Sequence, residues 1–141
     1  MTNVVAERLG GRRVLGKTVR TELDMADAIQ DGLPIEAVDR ILEVGLLEPN
    51  ELFSLVIPRR TLSHRRKTGK LTPEQSDRLA RVVRVLARAE EAFGDRQKAS
   101  RWMRKPSRTL EGRRPLELLE SDTGSRAVEK ILLRIEHGVY S

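Results

Sequence analysis

The sequence contains no cysteine and few aromatic residues. Without cysteine the chain has neither disulfide bonds nor thiolate metal sites, and its two histidines, His64 and His137, are too far apart in sequence to suggest a metal centre. Aromatic residues make up 3% of the 141 residues, which leaves little material for the stacking platforms that bind single-stranded nucleic acid. No run approaches the roughly 18 apolar residues of a membrane span, and the N-terminus has no apolar signal core. We therefore expect a cytoplasmic protein without a metal.

Catalytic motifs are missing as well. No glycine-rich phosphate loop follows a predicted strand, because Gly10-Gly11 has no strand before it. Ser63 and His64 are neighbours on a predicted helix, so their side chains point apart and cannot form a proton relay. We expect no enzymatic activity and no cofactor.

Charge is present in abundance and is unevenly distributed. The net charge is +6. Residues 21–56 carry one basic and nine acidic side chains, whereas residues 57–88 carry ten basic and two acidic ones. This polarisation indicates one face that attracts polyanions and another that repels them. Residues 1–20 are rich in glycine and arginine without clear periodicity, and we expect them to form a mobile basic arm.

The hydrophobic pattern is helical and shows no strand-like alternation. The longest predicted helix runs from Pro73 to Phe93 and opens with a capping box at Thr72-Pro73-Glu74-Gln75. Shorter helices are predicted at residues 24–30, from Pro34 to a stop at Gly45, from Pro49, at 59–68, around Trp102, at 115–120 and at 125–137. We therefore expect an all-α protein with a bundle over residues 21–94, continuous with a small helical domain over residues 95–141.

Residues 48–70 contain two short predicted helices joined at Val56-Ile57-Pro58. This segment resembles the helix-turn-helix of Xre-type regulators, with Leu62 facing inward to hold the second helix, and it has no acidic residue from Ile57 to Lys70. In a major groove, hydroxyl and guanidinium groups address base edges and the other cations hold phosphates. The residues expected at base edges are Thr61, Ser63, His64 and Arg65, and those expected at phosphates are Arg59, Arg60, Arg66, Lys67 and Lys70.

This motif has two departures and one alternative. Leu52 stands where a small residue is usual in the first helix, and Val56 replaces the usual turn glycine. The alternative is that the arginines form only a solvated helix face. A further basic stripe lies on the next helix, and the sequence leaves open whether it meets DNA or an acidic partner: Arg78, Arg81, Arg84 and Arg88.

The last predicted helix has an apolar stripe at positions i, i+3, i+4 and i+7, and a left-handed stop is expected at Gly138. The stripe consists of Val128, Ile131, Leu132 and Ile135. Val139, Tyr140 and Ser141 follow, and they either fold back onto their own domain or insert into a partner's cleft. Trp102, the sole tryptophan, is either a core anchor or an interface residue.

The segment from residue 99 to 141 resembles the C-terminal toxin-binding domain of the Xre/MbcA/ParS antitoxins, and the resemblance extends more weakly upstream to about Gly32. Ser107 departs from the asparagine usual in that family. The matching positions are Ala99, Trp102, Met103, Pro106, Leu110, Gly112, Pro115, Leu118, Leu119, Gly124, Val128, Leu132, Ile135 and Gly138.

The resemblance implies a type II antitoxin whose partner is a RES-domain toxin that consumes NAD or transfers ADP-ribose. Its C-terminus is expected to occupy the toxin's active-site cleft. The residues expected to bind the toxin are Trp102, Arg134, His137, Val139, Tyr140 and Ser141. The helix-turn-helix is expected to repress the protein's own operon by binding operator double-stranded DNA as a homodimer, within a larger toxin–antitoxin complex.

Two rival interpretations remain. In the first, the chain is a free-standing transcription regulator whose C-terminal domain only dimerises. In the second, it binds a toxin but not DNA, and its basic face serves an acidic surface of the toxin.

Overall fold

The computed structural model describes residues 1–138, and regular structure in that range is helical, as the sequence predicts. The α-helices are α1 Thr2–Arg8, α2 Gly11–Leu15, α3 Glu22–Asp31, α4 Ile35–Glu43, α5 Pro49–Leu55, α6 Arg59–Arg66, α7 Pro73–Phe93, α8 Arg96–Arg104 and α9 Asp122–Glu136. Two 3₁₀ segments, Arg108–Leu110 and Pro115–Glu120, lie between α8 and α9. None of the helices in the described range combines the length and the apolarity needed to cross a bilayer.

The chain forms two compact units, residues 1–83 and residues 84–141. Their boundary falls inside α7, whereas the sequence predicts a domain boundary at the end of that helix. Each unit has a core of its own.

The first twenty residues of unit 1 include the helices α1 and α2, whereas the sequence predicts a mobile basic arm without regular structure. Leu9 is fully buried, and Val5 and Val19 are 4% and 6% exposed. Gly10 adopts φ 114°, in the left-handed region, and so allows a sharp change of direction between α1 and α2. These helices form despite the glycine and arginine content because Val5 and Leu9, at positions i and i+4, bury their side chains on the same side of the chain.

Capping residues and apolar faces determine where the helices of unit 1 form. Thr21 and Asp24 form a reciprocal capping box at the start of α3. Residues on one side of α4 are buried, and they pack into a core with the inward side chains of later helices. The fully buried members of this core include Leu33, Val38, Ile41, Leu47, Leu52, Ile57, Leu71 and Leu79.

Two chain connections in unit 1 are joined by backbone hydrogen bonds. The Leu71 N–H donates to the Leu33 carbonyl oxygen at 2.9 Å, and the Ile35 N–H donates to the Gly69 carbonyl oxygen at 3.0 Å. Gly32 has φ 88°, and a Cβ there would collide with the Leu71 carbonyl oxygen. The segment before α4 is thereby fixed against the segment that follows α6.

Unit 2 contains the second half of α7, α8, the two 3₁₀ segments and α9. The Asp95 side chain caps α8, and the Ser121 side chain caps α9. Residues 115–120 were predicted as a helix and form a 3₁₀ segment, which begins at Pro115 and is followed by the extended Ser121. The unit's core includes Leu86, Ala89, Met103, Leu119, Val128, Ile131 and Leu132.

Candidate nucleic-acid and partner interfaces

Helices α5 and α6 form the helix-turn-helix geometry, with Val56-Ile57-Pro58 between them. Val56 has φ −117° and ψ −58°, a backbone conformation that needs no glycine. Val56 is 2% exposed and Ile57 is fully buried, so the turn contributes apolar side chains to the core of unit 1. The departure from the usual turn glycine therefore reflects a different turn conformation rather than strain.

Helix α6 turns its apolar residue inward and its cations outward. Leu62 is 5% exposed, as the sequence predicts. No acidic residue lies in the first turn, and the N-cap, Pro58, provides no side-chain hydrogen bond. Unsatisfied backbone N–H groups and cations thus meet at the same end of the helix, which favours an anion there. Of the predicted DNA-contacting residues, the exposed ones are Arg59, Arg60, Ser63, His64, Arg66, Lys67 and Lys70, and Thr61 and Arg65 are half-buried.

The C-terminal end of α6 is held by contacts within unit 1. The Arg65 Nε–H donates to the Lys70 carbonyl oxygen at 3.0 Å, and the Thr68 hydroxyl donates to the Arg65 carbonyl oxygen at 2.9 Å. Arg66 donates two hydrogen bonds to the Asp39 carboxylate on α4, at 2.9 and 3.3 Å. This pairing raises the pKa of Arg66 above its ordinary value, chiefly because the guanidinium donates hydrogen bonds to the Asp39 carboxylate. Among the cations predicted to contact DNA, Arg65 and Arg66 are therefore held by hydrogen bonds within unit 1.

The basic stripe on α7 is used within the two units. In unit 1, the Arg78 Nε–H donates to the Val56 carbonyl oxygen at 3.0 Å. Arg81 pairs with Asp77 at 3.2 Å, and its side chain is 11% exposed. Because Arg78 and Arg81 are partly buried and already have acceptors, they are poorly placed to contact phosphates.

In unit 2, two arginines of the same stripe converge on one carboxylate. Arg84 lies 3.0 Å from Glu129 and Arg88 lies 3.8 Å from the same side chain. These contacts connect α7 to α9 within the unit. The sequence left open whether the basic stripe binds DNA or an acidic partner. The structure adds a third possibility, because all four arginines have acceptors within their own unit.

The described part of α9 presents a buried and an exposed side. Val128, Ile131 and Leu132 are at most 4% exposed, which agrees with the predicted apolar stripe, and Ile135 is half-buried. The side chains of Leu133, Arg134 and His137 are exposed, and 46% of Leu133 is accessible. Leu133 is not among the residues predicted from the sequence to bind a partner. Its position outside the apolar stripe of α9 indicates that it is exposed. A shallow pocket of about 300 Å³ lies beside it, lined by Arg88, Arg126, Glu129, Lys130 and Leu133.

Trp102 lies at the edge of the unit 2 core rather than fully in it. Its ring is half-buried, and its centroid is 5.6 Å from that of Phe93, with the planes tilted by 46°. One side of the indole therefore packs internally while another remains accessible. Val139, Tyr140 and Ser141 lie outside the described residues, so their predicted role in toxin binding stays a prediction.

Comparison with known proteins assigns a family to each half of the sequence. Residues 24–84 match the model of the antitoxin Xre-like helix-turn-helix domain. Residues 88–138 match the model of the antitoxin Xre/MbcA/ParS C-terminal toxin-binding domain. These ranges contain the α5–α6 geometry and the α9 surface described above.

Three relatives that match over most of their length agree with the domain matches. Antitoxin Xre of Yersinia enterocolitica is 40% identical over 120 residues, which cover 83% of this chain and 81% of the relative. Antitoxin Xre of Pseudomonas putida is 35% identical over 119 residues, covering 84% and 74% of the two chains. Antitoxin Xre of Photorhabdus laumondii is 35% identical over 116 residues, covering 80% and 78%.

Proposed function

Because the chain belongs to the family of Xre antitoxins, which bind a toxin and DNA and are not enzymes, we propose that it neutralises a RES-domain toxin and represses its own operon. The toxin would consume NAD or transfer ADP-ribose from it, and the system would be of type II, in which the antitoxin is a protein. Both activities would take place in the cytoplasm, where the operator and the NAD pool are found.

The observation that carries the toxin-binding part is the match of residues 88–138 to a toxin-binding domain, together with the exposed surface on α9. An accessible leucine beside a pocket and flanking cations suit a protein interface, in which a small number of apolar anchors supplies most of the affinity. We assign Leu133 to this surface, with the predicted contacts Trp102, Arg134 and His137.

Neutralisation would work by occlusion of the toxin's active site. Val139, Tyr140 and Ser141 follow α9 in sequence, and Tyr140 provides an aromatic ring with a hydroxyl group. A tyrosine ring fills an apolar pocket while its hydroxyl finds a polar partner. A segment of this kind in the cleft excludes the dinucleotide without any chemistry by the antitoxin.

Repression would use the cations of α6. A homodimer matches the two-fold symmetry of an operator, and each protomer would insert α6 into a major groove. Arg59 and Arg60 are exposed at the N-terminal end of α6. This is the end of a recognition helix that lies nearest to base edges and phosphates in a major groove. In the complete system this homodimer would be part of a larger toxin–antitoxin assembly.

Co-expression with the protein encoded by the adjacent gene tests the proposal. Expressed alone, that protein should arrest growth and lower cellular NAD, and expression of this chain should restore both. The two proteins should also co-purify. If the neighbour is harmless and does not co-purify, while this chain still binds DNA upstream of its own gene, the chain is a free-standing regulator. If they co-purify but NAD is unchanged throughout, the partner is a toxin of another class.

A further inference from the structure

Asp39 and Arg66 form an ion pair between two helices of the DNA-binding unit. Asp39 lies on α4 and Arg66 is the last residue of α6. The Arg66 Nη2 atom lies 2.9 Å from Asp39 Oδ1, and Nη1 lies 3.3 Å from Oδ2. Both side chains of the pair are accessible to water, at 44% for Arg66 and 42% for Asp39.

This arrangement sets Arg66 apart from other cations of α6 and its C-cap, Lys67. Within residues 1–138, neither Arg59 nor Arg60 nor Lys67 makes an ion pair, and all three are exposed. A bidentate carboxylate pair cancels the charge of the guanidinium and occupies two of its donors. Arg66 is thus the cation on α6 that a phosphate can reach only in competition with a carboxylate.

The surroundings of Asp39 reinforce the pairing. Asp39 lies at a pocket of about 440 Å³ whose lining contains four carboxylates and two arginines, a net charge of −2. The charged members are Glu7, Arg13, Glu36, Asp39, Arg40 and Glu43. A net negative lining attracts a nearby guanidinium and keeps it on the α4 side of the helix.

We propose that Asp39 is a positioning residue for DNA binding, which holds Arg66 away from the phosphate backbone and so limits affinity for DNA of unrelated sequence. The proposal rests on the proposed DNA-binding role of α6. Exposed ion pairs are weak, so an operator that places a phosphate beside Arg66 can still break this one. On unrelated DNA, where α6 is not fixed by base contacts, Arg66 stays with Asp39 and adds no phosphate contact.

The test is the salt dependence of binding to a duplex of about 20 base pairs and mixed sequence, measured by fluorescence anisotropy for the full chain. The log–log slope changes by about −0.9 for each additional phosphate neutralised. Asp39→Asn should therefore steepen the slope by about 0.9 per protomer and tighten binding roughly five- to tenfold near 0.1 M salt. Asp77→Asn is the matched control, because it removes the same charge but frees Arg81, whose side chain is 11% exposed.

A double-variant cycle shows whether the effect passes through Arg66. Arg66→Ala should leave the slope near that of the parent, and adding Asp39→Asn to Arg66→Ala should not steepen it. The inference is overturned if Asp39→Asn leaves the slope unchanged, weakens binding, or steepens the slope equally when Arg66 is absent. A parent protein whose binding shows no salt dependence instead contradicts the proposed DNA-binding role of α6 itself.

Discussion

The Nε–H of Arg78 on α7 donates a 3.0 Å hydrogen bond to the carbonyl oxygen of Val56, in the turn between α5 and α6. Val56 is almost completely buried, so water has little access to this carbonyl group. A charged donor on α7 therefore satisfies the buried carbonyl group of the turn, and this contact holds the turn between α5 and α6 in place.

Replacing Arg78 should destabilise unit 1 without removing a phosphate contact. Arg78→Ala leaves the Val56 carbonyl oxygen without its donor, and we expect a loss of about 1–2 kcal/mol in the free energy of unfolding. Urea denaturation followed by circular dichroism measures this loss. Arg60→Ala, at an exposed position on α6, should change the unfolding free energy by about 0.5 kcal/mol or less. Equal effects of the two substitutions would contradict the structural role of Arg78.

Removing the exposed cations at the start of α6 should weaken DNA binding through lost phosphate contacts. In the Arg59→Ala, Arg60→Ala double variant, the log–log salt slope should become shallower by about 1.8 per protomer, at about 0.9 for each contact. Arg101→Ala with Arg108→Ala is the matched control, because both residues are exposed in unit 2 and the change in net charge is the same. A similar loss in the control would show that only overall charge matters.

Gly124 should not tolerate a side chain. A Cβ at this position in the first turn of α9 would collide with the Leu118 carbonyl oxygen, which belongs to the backbone and cannot swing away. We expect Gly124→Ala to destabilise unit 2 by about 1–3 kcal/mol, as overpacking does elsewhere. The fluorescence of Trp102, the sole tryptophan, reports the unfolding of this unit. Thr123→Ala, at the exposed neighbouring position, should be nearly neutral, and a comparable loss there would remove the steric explanation.

Acid should weaken the N-terminal cap of α8. The backbone N–H of Lys98, and then that of Gln97, lowers the pKa of Asp95 below its ordinary value of 3.8. The unfolded state therefore binds more protons here, so the stabilisation is present above that ordinary value and is lost as the pH falls through the lower, folded-state pKa. Asparagine also caps helices but does not titrate, so Asp95→Asn should flatten the acid side of the profile of unfolding free energy against pH. A profile identical to that of the parent would contradict this contribution.

Deleting Val139 to Ser141 should separate folding from toxin neutralisation. The chain would then end at Gly138, beyond α9 and its buried stripe. We expect the thermal unfolding midpoint and DNA binding to remain close to those of the parent, and protection against the co-expressed toxin to be lost. Leu133→Asp is a useful companion, because it places a charge on the exposed side of α9 while the tail stays intact. Full protection by the truncated chain would exclude occlusion by the tail.

The spacing of apolar residues, together with capping residues, prolines and glycines, predicted most of the helices of this protein. Pro73 and Phe93 bound α7 in the structure as in the prediction, because a capping box and a following glycine mark its ends clearly. The burial of Leu62 could also be predicted, because it is the one apolar residue among the polar and cationic residues of α6. Signals of this kind are local, and they can be read from a few neighbouring residues.

The partners of the charged side chains could not be predicted in this way. Asp39 and Arg66 lie 27 positions apart, and Arg84 and Glu129 lie 45 apart, so only the folded chain brings them together. Arginines at helical spacing show the same pattern whether they face DNA, a protein or an internal carboxylate. The division of the basic residues into exposed and internally paired groups therefore required the structure.

Helix α7 continues through residues 83 and 84, where one compact unit gives way to the other. A fragment made by cutting there would carry a helix end in place of an uninterrupted turn, with backbone groups that have lost their partners. Attempts to isolate the helix-turn-helix domain from the toxin-binding domain should therefore retain the entire helix in either piece, and proteases should not cleave at this junction.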